Sequence, residues 1–446
     1  MSRDPHRVLQ VLLHHPAARA LVRAADDAGV EAHLVGGALR DRLLGLPSRD
    51  LDAAVSDRGE EVARRLAGDL GARLVVLGGR DFGAYRLIAG NGQGSWVLDL
   101  WDREGGTLTA DLARRDFTVN SMALALPGGE LVDPHGGLED LGNRLLRATG
   151  PSAFSGDPLR VLRLPRLLVQ LPGFSSEPVT LALAQESAAR LAAVASERVR
   201  DELSLLFAHP DAHRGLAVLG TLDLYPGLWL GRPGETDGDT GAIGRACGQM
   251  ARLGPLALRL RELAGGDLPF PVRHRLTRLA LSFANLPRDA AVGTAAPGEA
   301  GIGEALALFG EAGYLTKRDT GDVARLVPCE RLPPEELDRR RFLHRLGELW
   351  TTAACHAGAR SGAPGDGWRW EADASALLAL YRREGEAIVS PPRLLDGREV
   401  GEILGVPPGP AIGRALRELE WAQVEGRVRS REEARRLVEG LTRNGS

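Results

Sequence analysis

Two aspartates stand one residue apart in "SRDLDAAV", Asp50 and Asp52. On an extended strand, residues i and i+2 project from the same face. Two ionised carboxylates side by side repel each other unless a cation lies between them. Hard oxygen ligands of this kind suit Mg²⁺, which keeps waters and borrows phosphate oxygens from a substrate. Just upstream, "LVGGALRD" carries Gly36 and Gly37 between an apolar run and a helical pattern. A strand, a glycine turn and a helix start aim backbone amides at one spot, which favours an anion such as phosphate. Taken singly, Gly-Gly before a helix is usually a tight turn, and Asp-x-Asp is usually a cap beside a solvated acid. Together they point to metal-assisted phosphoryl transfer. Such a site takes a third acid. Asp99, inside the apolar run "WVLDLWD", is the candidate, because an unpaired Asp is expensive to bury there. Its competitor, Asp102, reads as a strand-end residue.

Cationic groups follow. "ARRDFTVNSMALAL" places Arg114, Arg115, Asp116 and Asn120 ahead of what reads as an apolar helix. "SGDPLRVLRLPRLLVQL" places Asp157, Arg160, Arg163 and Arg166 at intervals of three, so the arginines line one helical face. Val161, Leu162, Leu164, Leu167 and Leu168 fall between them, which implies a helix packed on its other side. A solvated charged face is the plain reading. A packed helix with a cationic stripe and an Asp also suits triphosphate or an RNA backbone.

The elements that must hold these residues change in texture along the chain. From about His33 to Asp133, short β-rich runs ("AHLVGG", "DLDAAV", "RLVVLG", "AYRLIAG", "SWVLDLWD") alternate with helical patterns such as "RGEEVARRLAGDL". This predicts a compact α/β head. After Leu138 strand signals nearly vanish, and segments such as "VRDELSLLFAH" and "IGRALRELEWAQVEG" predict an all-helical remainder. Gly/Pro/Ala-rich stretches near 231–244, 286–303 and 356–367 read as loops between helical modules. At 446 residues the chain has room for two to four domains. A net charge of −3 argues against a general basic coat for nucleic acid, while leaving room for a local stripe. Cations are nearly all Arg, with Lys317 the sole lysine. Cys247, Cys329 and Cys355 are scattered and make neither a disulfide framework nor a zinc motif. With no apolar run of spanning length and no signal-peptide core, the expectation is a soluble cytoplasmic protein.

In combination the motifs resemble a known family. "LVGGALRDRLLGLPSRDLDAAV", "DLARRDFTVNSMAL", "LVDPHGGLEDLGNRLLRATG" and "GDPLRVLRLPRLL" follow the order seen in class II tRNA nucleotidyltransferases, the CCA-adding enzymes and bacterial poly(A) polymerases. "ASERVRDELSLLF", "LGTLDLYPGL" and the segment from "LLDGREVGEILG" to "REEARRLV" resemble later parts of the same enzymes. The resemblance is weakest around 231–390. It implies a polymerase-β-like nucleotidyltransferase head with a mixed sheet, then an all-α neck, body and tail. The implied divisions are 1–140 for the head, 141–230 for the neck, 231–385 for the body and 386–446 for the tRNA-binding tail. Asp50 and Asp52 match the metal-binding pair, with Mg²⁺ as cofactor and Asp99 as the third acid. Gly36, Gly37, Arg40, Arg115, Asp116 and Asn120 fall in the nucleotide-binding motifs. Asp157 and Arg160 match the pair that reads the incoming base, and Arg163 and Arg166 match further nucleotide-binding positions. The implied partners are the tRNA 3′ end, CTP and, in full CCA addition, ATP. In the tail, Arg414, Arg417, Arg427 and Arg429 are expected to meet tRNA phosphates, although Glu418, Glu420 and Glu425 lie among them.

The base-reading pair has a physical rationale. A carboxylate accepts from an exocyclic amino group while Arg donates to a ring acceptor. Cytosine and adenine satisfy both, and uracil sets its O4 acceptor against the carboxylate. Three departures bear on this neck: Gly156 replaces a Glu, Leu167 replaces a common Phe, and Pro165 should kink or break the arginine helix. The segment after "VLDLWD" is also short, "REGGTLTA" (Arg103–Ala110), where full CCA-adding enzymes commonly carry a longer flexible loop. That shortness implies addition of CC alone, with a separate A-adding enzyme acting afterwards. Full CCA addition, A addition and poly(A) synthesis stay open as alternatives. A non-catalytic tRNA-binding module is disfavoured by the intact "RDLD" and "RRDF".

Overall fold

The computed structural model describes residues 4–48, 50–77, 83–90, 95–103, 106–225, 227–230, 240–286, 299–361 and 367–443. The chain divides into two compact units, residues 1–198 with 221–223, and residues 199–220 with 224–446. Residues 141–198, placed in the neck from the sequence, thus cluster with the head.

The first unit begins with helices α1 (Pro5–Leu13) and α2 (Pro16–Ala28). Strand β1 (Ala32–Val35), helix α3 (Gly37–Leu44), strand β2 (Asp50–Val55) and helix α4 (Gly59–Leu70) follow. Then come β3 (Arg73–Leu77), β4 (Ala84–Ala89), β5 (Trp96–Asp102), α5 (Leu108–Ala113), β6 (Ala123–Leu126), β7 (Leu131–Val132), α6 (Gly137–Asn143), α7 (Arg160–Gln170) and α8 (Pro178–Ser187). These seven strands form one sheet in the order β3-β4-β5-β2-β1-β6-β7, and two further short strands, Leu145–Leu146 and Ser175–Ser176, pair with each other in parallel. The seven-stranded sheet is mixed, with β2 and β5 parallel and the other neighbouring pairs antiparallel.

Strand alternation sorts the two faces of this sheet. Leu34, Leu51, Ala53, Val55, Leu87, Leu98, Leu100 and Leu124 pack into one core with Leu9, Leu21, Leu39 and Leu66 from the first four helices. The intervening residues point the other way. There Val35, Ala54 and Ala123 meet Leu112 of α5, with Trp101 and Leu108 beside them. Asp52 is two residues from Ala54 and Asp99 two from Trp101, so both carboxylates share this second, thinly covered face.

Two local expectations need correction. The run "SMALAL" reads as the start of an apolar helix, yet Ala123–Leu126 is strand β6, paired with β1. A short apolar run has no period that separates strand from helix, and the open edge of β1 decides the matter. Pro165 does not break the arginine helix, since α7 is continuous across it. Val161, Leu162, Leu164, Leu167 and Leu168 are all buried on the packed side, which holds the helix despite the missing donor.

Among the described residues, the regular elements of the second unit are all helices. Trp229 is fully buried among Phe207, Phe283, Phe309 and Tyr225, and its indole N–H donates to Ser282 Oγ at 2.9 Å. The C-terminal helices have a core of their own, built on Leu395, Val400, Ile412, Ala415, Leu419, Ala422, Val428, Ala434 and Val438. Parts of the three small-residue stretches lie outside the described residues, at 231–239, 287–298 and 362–366. Their described flanks are helical, and His356–Arg360 ends the helix Trp350–Arg360 where a loop was expected. Alanine favours helix, and His356, Ala357 and Ala359 are buried there. Among the described residues, no helix is long and apolar enough to cross a membrane.

Candidate active site

At the end of β1 the chain turns sharply into α3 through Gly36, whose φ is 75°. That left-handed conformation costs a glycine little. Space imposes a second demand. A Cβ on Gly36 would lie 3.0 Å from the Arg115 guanidinium and 3.2 Å from a carboxylate oxygen of Asp52. The turn therefore brings bare backbone between an acid and a base. The Gly36 amide is held by Met122 O at 3.1 Å.

In the parallel β2–β5 pairing Asp52 faces Asp99, and Asp50 faces Val97. Asp50 is exposed at the start of β2, while Asp52 is partly enclosed. Burial pushes the Asp52 carboxyl up to about 6, Arg115 and Arg163 pull it down, and Asp99 and Asp50 push it further up. Asp99 is differently placed. Arg86, opposite it on β4, donates Nε and Nη2 to its two oxygens, each at 2.7 Å. Among the described residues, no three carboxylate, imidazole or thiol groups converge closely enough to hold a metal ion by themselves. The carboxylates line up along the sheet without closing into a cage.

Arg115 leaves the end of α5 and lies over the Trp101 ring, with its guanidinium carbon 5.2 Å from the ring centroid. It also donates to Asp111 at 3.3 Å, and its backbone carbonyl accepts from the Thr149 hydroxyl. Asp116 is buried. It accepts from the Phe117 amide at 2.7 Å and the Asn120 amide at 3.0 Å, and pairs with Arg163 at 2.9 Å. Burial alone would raise its carboxyl, but Arg163, Asn120 and Phe117 together hold it below its ordinary value. Asn120 in turn accepts from Arg40 Nη1 at 2.5 Å, and Arg40 also pairs with Asp41. One chain of polar contacts thus runs from α7 through Asp116 and Asn120 to α3. Asp116 and Asn120 act within it as organisers, spacing Arg163 and Arg40.

These residues open onto one cleft of about 1320 Å³. Its lining includes Gly36, Gly37, Arg40, Asp52, Arg115, Asp116, Asn120, Asp157, Arg160, Arg163 and Arg166, scattered over 130 positions of sequence. Asp50 and Asp99 lie on the same sheet face but outside that lining. The arginines at intervals of three on α7 all reach the cleft while their leucine neighbours are buried. Arg160 is desolvated, which lowers its pKa against the pull of Asp116 and Asp157, and its Nη1 donates to Ala153 O at 2.9 Å. Asp157 accepts from Leu159 N at 3.3 Å and pairs with Arg198 at 2.9 Å.

Asp102 closes β5 and accepts from the Gly59 amide at 2.7 Å, so it serves the start of α4, as a strand-end acid would. Three residues escaped the sequence reading. Trp101 was legible, lying two residues beyond Asp99 on the same face. Arg86 and Arg198 were not, because strand register and tertiary packing alone bring them to Asp99 and Asp157. In the second unit, Arg414 and Arg417 are exposed on the helix Pro410–Val424. Arg427 and Arg429 are exposed in the turn that follows, where Arg427 pairs with Glu425 at 2.8 Å.

Comparison with known proteins fits this geometry. Residues 32–100 and 93–147 match the poly(A) polymerase head domain, and residues 173–229 match a family described as the probable RNA and SrmB binding site of polymerase A. The sequence is 31% identical to a CC-adding tRNA nucleotidyltransferase of Geobacter sulfurreducens, over 97% of each chain. It is 36% identical to an A-adding tRNA nucleotidyltransferase of Deinococcus radiodurans, over 92% of this chain and 95% of that one. In fold it is similar to the CCA-adding enzyme of Bacillus stearothermophilus solved with CTP, with a TM-score of 0.66, 23% identity and coverage of 96% and 98%. It is likewise similar to the Thermotoga maritima CCA-adding enzyme solved with tRNA, with a TM-score of 0.61, 21% identity and coverage of 98% of each chain. With relatives above 30% identity along nearly its whole length, and with the head sheet and its acidic face in place, the chain belongs to the tRNA nucleotidyltransferases of the CCA-adding family.

Proposed function

We propose that this enzyme adds two C residues from CTP to the 3′ end of tRNA, in the cytoplasm, with Mg²⁺ bound, and that a separate A-adding enzyme completes the end. The observation that carries the CC assignment is the short path from β5 to α5. Arg103 is tied to the head, its amide donating to Val55 O at 2.9 Å and its guanidinium to Glu31 at 2.8 Å. Four residues later Thr107 already caps α5, its hydroxyl accepting from Ala110 N at 3.2 Å. Glu104 and Gly105 lie outside the described residues, and Gly106 adopts a positive φ. Leu108–Ala110, read as part of a loop from the sequence, are helical, because Leu108 and Leu112 pack on the sheet. A stretch this short leaves no lever that could re-aim Asp157 and Arg160 from cytosine to adenine, whose amino and ring groups lie farther from the glycosidic bond.

The donor set fits Mg²⁺. Asp50 and Asp52 would hold it, with Asp99 beside them, and all offer oxygen alone. Bound there, the ion would neutralise charge at the transferred phosphoryl group. The chain's own residues supply the rest. Arg40, Arg115, Arg163 and Arg166 face the cleft and suit a triphosphate, through the bidentate geometry of guanidinium. The Gly36–Gly37 turn lets the chain approach closely. Asp157 accepts from the base amino group, and Arg160 donates to the ring. The tRNA 3′-hydroxyl then gives up its proton to solvent as its oxygen bonds to the α-phosphorus, the bond from that phosphorus to the oxygen it shares with the β-phosphate breaks, and pyrophosphate leaves. A cleft of about 1320 Å³ exceeds the ~300–1,000 Å³ usual for one small ligand, which leaves space for an RNA end beside the nucleotide.

The test is the product ladder on tRNA ending at the discriminator base, with CTP and ATP both in excess. Growth that stops at CC supports the proposal. A dominant CCA band makes this a complete CCA-adding enzyme and defeats the lever argument. Extension restricted to tRNA already ending in CC makes it the A-adding partner, the activity named for the relative at 36% identity.

A further inference from the structure

We propose that Arg198 is a positioning residue for base selection, acting through Asp157; this rests on the reading that Asp157 and Arg160 face the base edge. Arg198 stands in the first turn of the helix Ser196–Ala208, 41 residues from its partner, and lines the same cleft. Its Nη2 donates to Asp157 Oδ2 at 2.9 Å, while Leu159 N donates to Oδ1 at 3.3 Å. The terminal torsion of an Asp is broad, so its rotamer alone does not fix the plane of the carboxylate. Two donors on two different oxygens do fix it.

A carboxylate has about four acceptor sites, so two remain for an incoming amino group. Across the pair, Arg160 is fixed separately through Ala153 O. Each half of the pair is therefore anchored by its own partner before a nucleotide arrives, which is the preorganisation that selection needs. The Arg198 side chain is 54% exposed and that of Asp157 28% exposed. An ion pair so open to water contributes little to folding. Its effect falls on orientation instead. Without Arg198 the carboxylate keeps a donor on one oxygen only, its plane is no longer fixed, and the penalty against a base that presents an oxygen in place of an amino group weakens.

Full-length Arg198→Met, Arg198→Lys, Asp157→Ala and the double variant Arg198→Met/Asp157→Ala are assayed for single-nucleotide addition. The readouts are kcat/KM for the preferred nucleotide and for UTP, with KM for tRNA measured alongside. Arg198→Met is expected to lower the preference over UTP by about tenfold, within the range of a good bidentate base contact, at unchanged tRNA KM. Arg198→Lys should recover part of it, and Arg198→Met should change nothing further in the Asp157→Ala background. If Asp157→Ala loses selectivity while Arg198→Met keeps it, or if the two effects multiply in the double variant, Arg198 does not act through Asp157. If Asp157→Ala itself retains full selectivity, the base-reading assignment fails and the role of Arg198 with it.

Discussion

Asp52 and Asp99 face each other across the parallel β2–β5 pair, yet Arg86 clamps both oxygens of Asp99 while the Asp52 carboxyl is pushed up to about 6. Burial comes first among the causes at Asp52, and the neighbouring acids add to it. Its folded value stands above its unfolded one, so between about 4 and 6 the folded chain binds more protons. Stability therefore falls as pH rises through that window. Without a bound cation, ionising Asp52 therefore lowers the stability of the first unit at neutral pH, in the manner of functional sites that trade stability for activity.

Asp52→Asn removes that charge at nearly constant shape. In metal-free buffer it should raise the midpoint of thermal unfolding at pH 7.5 by roughly 2 °C or more, and with Mg²⁺ present it should lower nucleotide addition by at least about 100-fold, the loss typical of a missing electrostatic group in a catalytic site. Thermal melts and single-turnover assays measure the two effects. Wild-type turnover in a stably folded variant would remove Asp52 from the catalytic centre.

Gly36→Ala tests the close approach at the β1–α3 turn. The added methyl meets Arg115 and Asp52 at distances that real Cβ atoms seldom show, and the residue sits at a φ of 75°. Displacing either group by a fraction of an ångström should lower kcat by on the order of 100-fold. The seven-stranded sheet should survive, which circular dichroism would report. Unchanged kcat would show that neither Arg115 nor Asp52 needs its present position.

His356 sets an acid limit on the second unit. It is fully buried, its Nδ1 lies 3.0 Å from Cys329 O, and burial lowers it to about 4. The folded value is below the unfolded 6.5, so the stability it contributes is present above 6.5 and is lost as pH falls towards 4. A shift of that size corresponds to on the order of 3 kcal/mol. His356→Gln should flatten the loss of thermal stability between pH 6.5 and 4, while lowering stability at pH 7 through poorer packing. An identical pH profile in the variant would assign acid sensitivity elsewhere.

Most of the head could be read from the sequence because its strands alternate. The period of two in "DLDAAV" puts Asp50 and Asp52 on one face before any pairing is known, and the register of β2 with β5 then brings Asp99 to that face. "SMALAL" has no such alternation, and β6 was missed for that reason. The arginine stripe of α7 was legible from its spacing of three and its interleaved leucines. Partners across strands or helices were not. No local pattern links Arg86 to Asp99, Arg163 to Asp116 or Arg198 to Asp157, since each pairing spans tertiary distance.

The tail arginines differ in a way that the sequence did not show. Arg414 and Arg417 are three residues apart on the exposed side of Pro410–Val424, while Ile412, Ala415 and Leu419 point into the tail core. Reversing both charges should therefore leave the fold intact. Arg427 already shares Glu425 with Arg341, so its charge is partly spent inside the protein. If the tail positions tRNA through phosphates, Arg414→Glu/Arg417→Glu should raise KM for tRNA severalfold and leave KM for CTP unchanged. The slope of log affinity against log salt should fall by about 0.7–0.9 for each phosphate that is no longer neutralised. Arg427→Glu should do less. Equal changes in both KM values would point to a folding defect, and an unaltered salt slope would place tRNA binding on another surface.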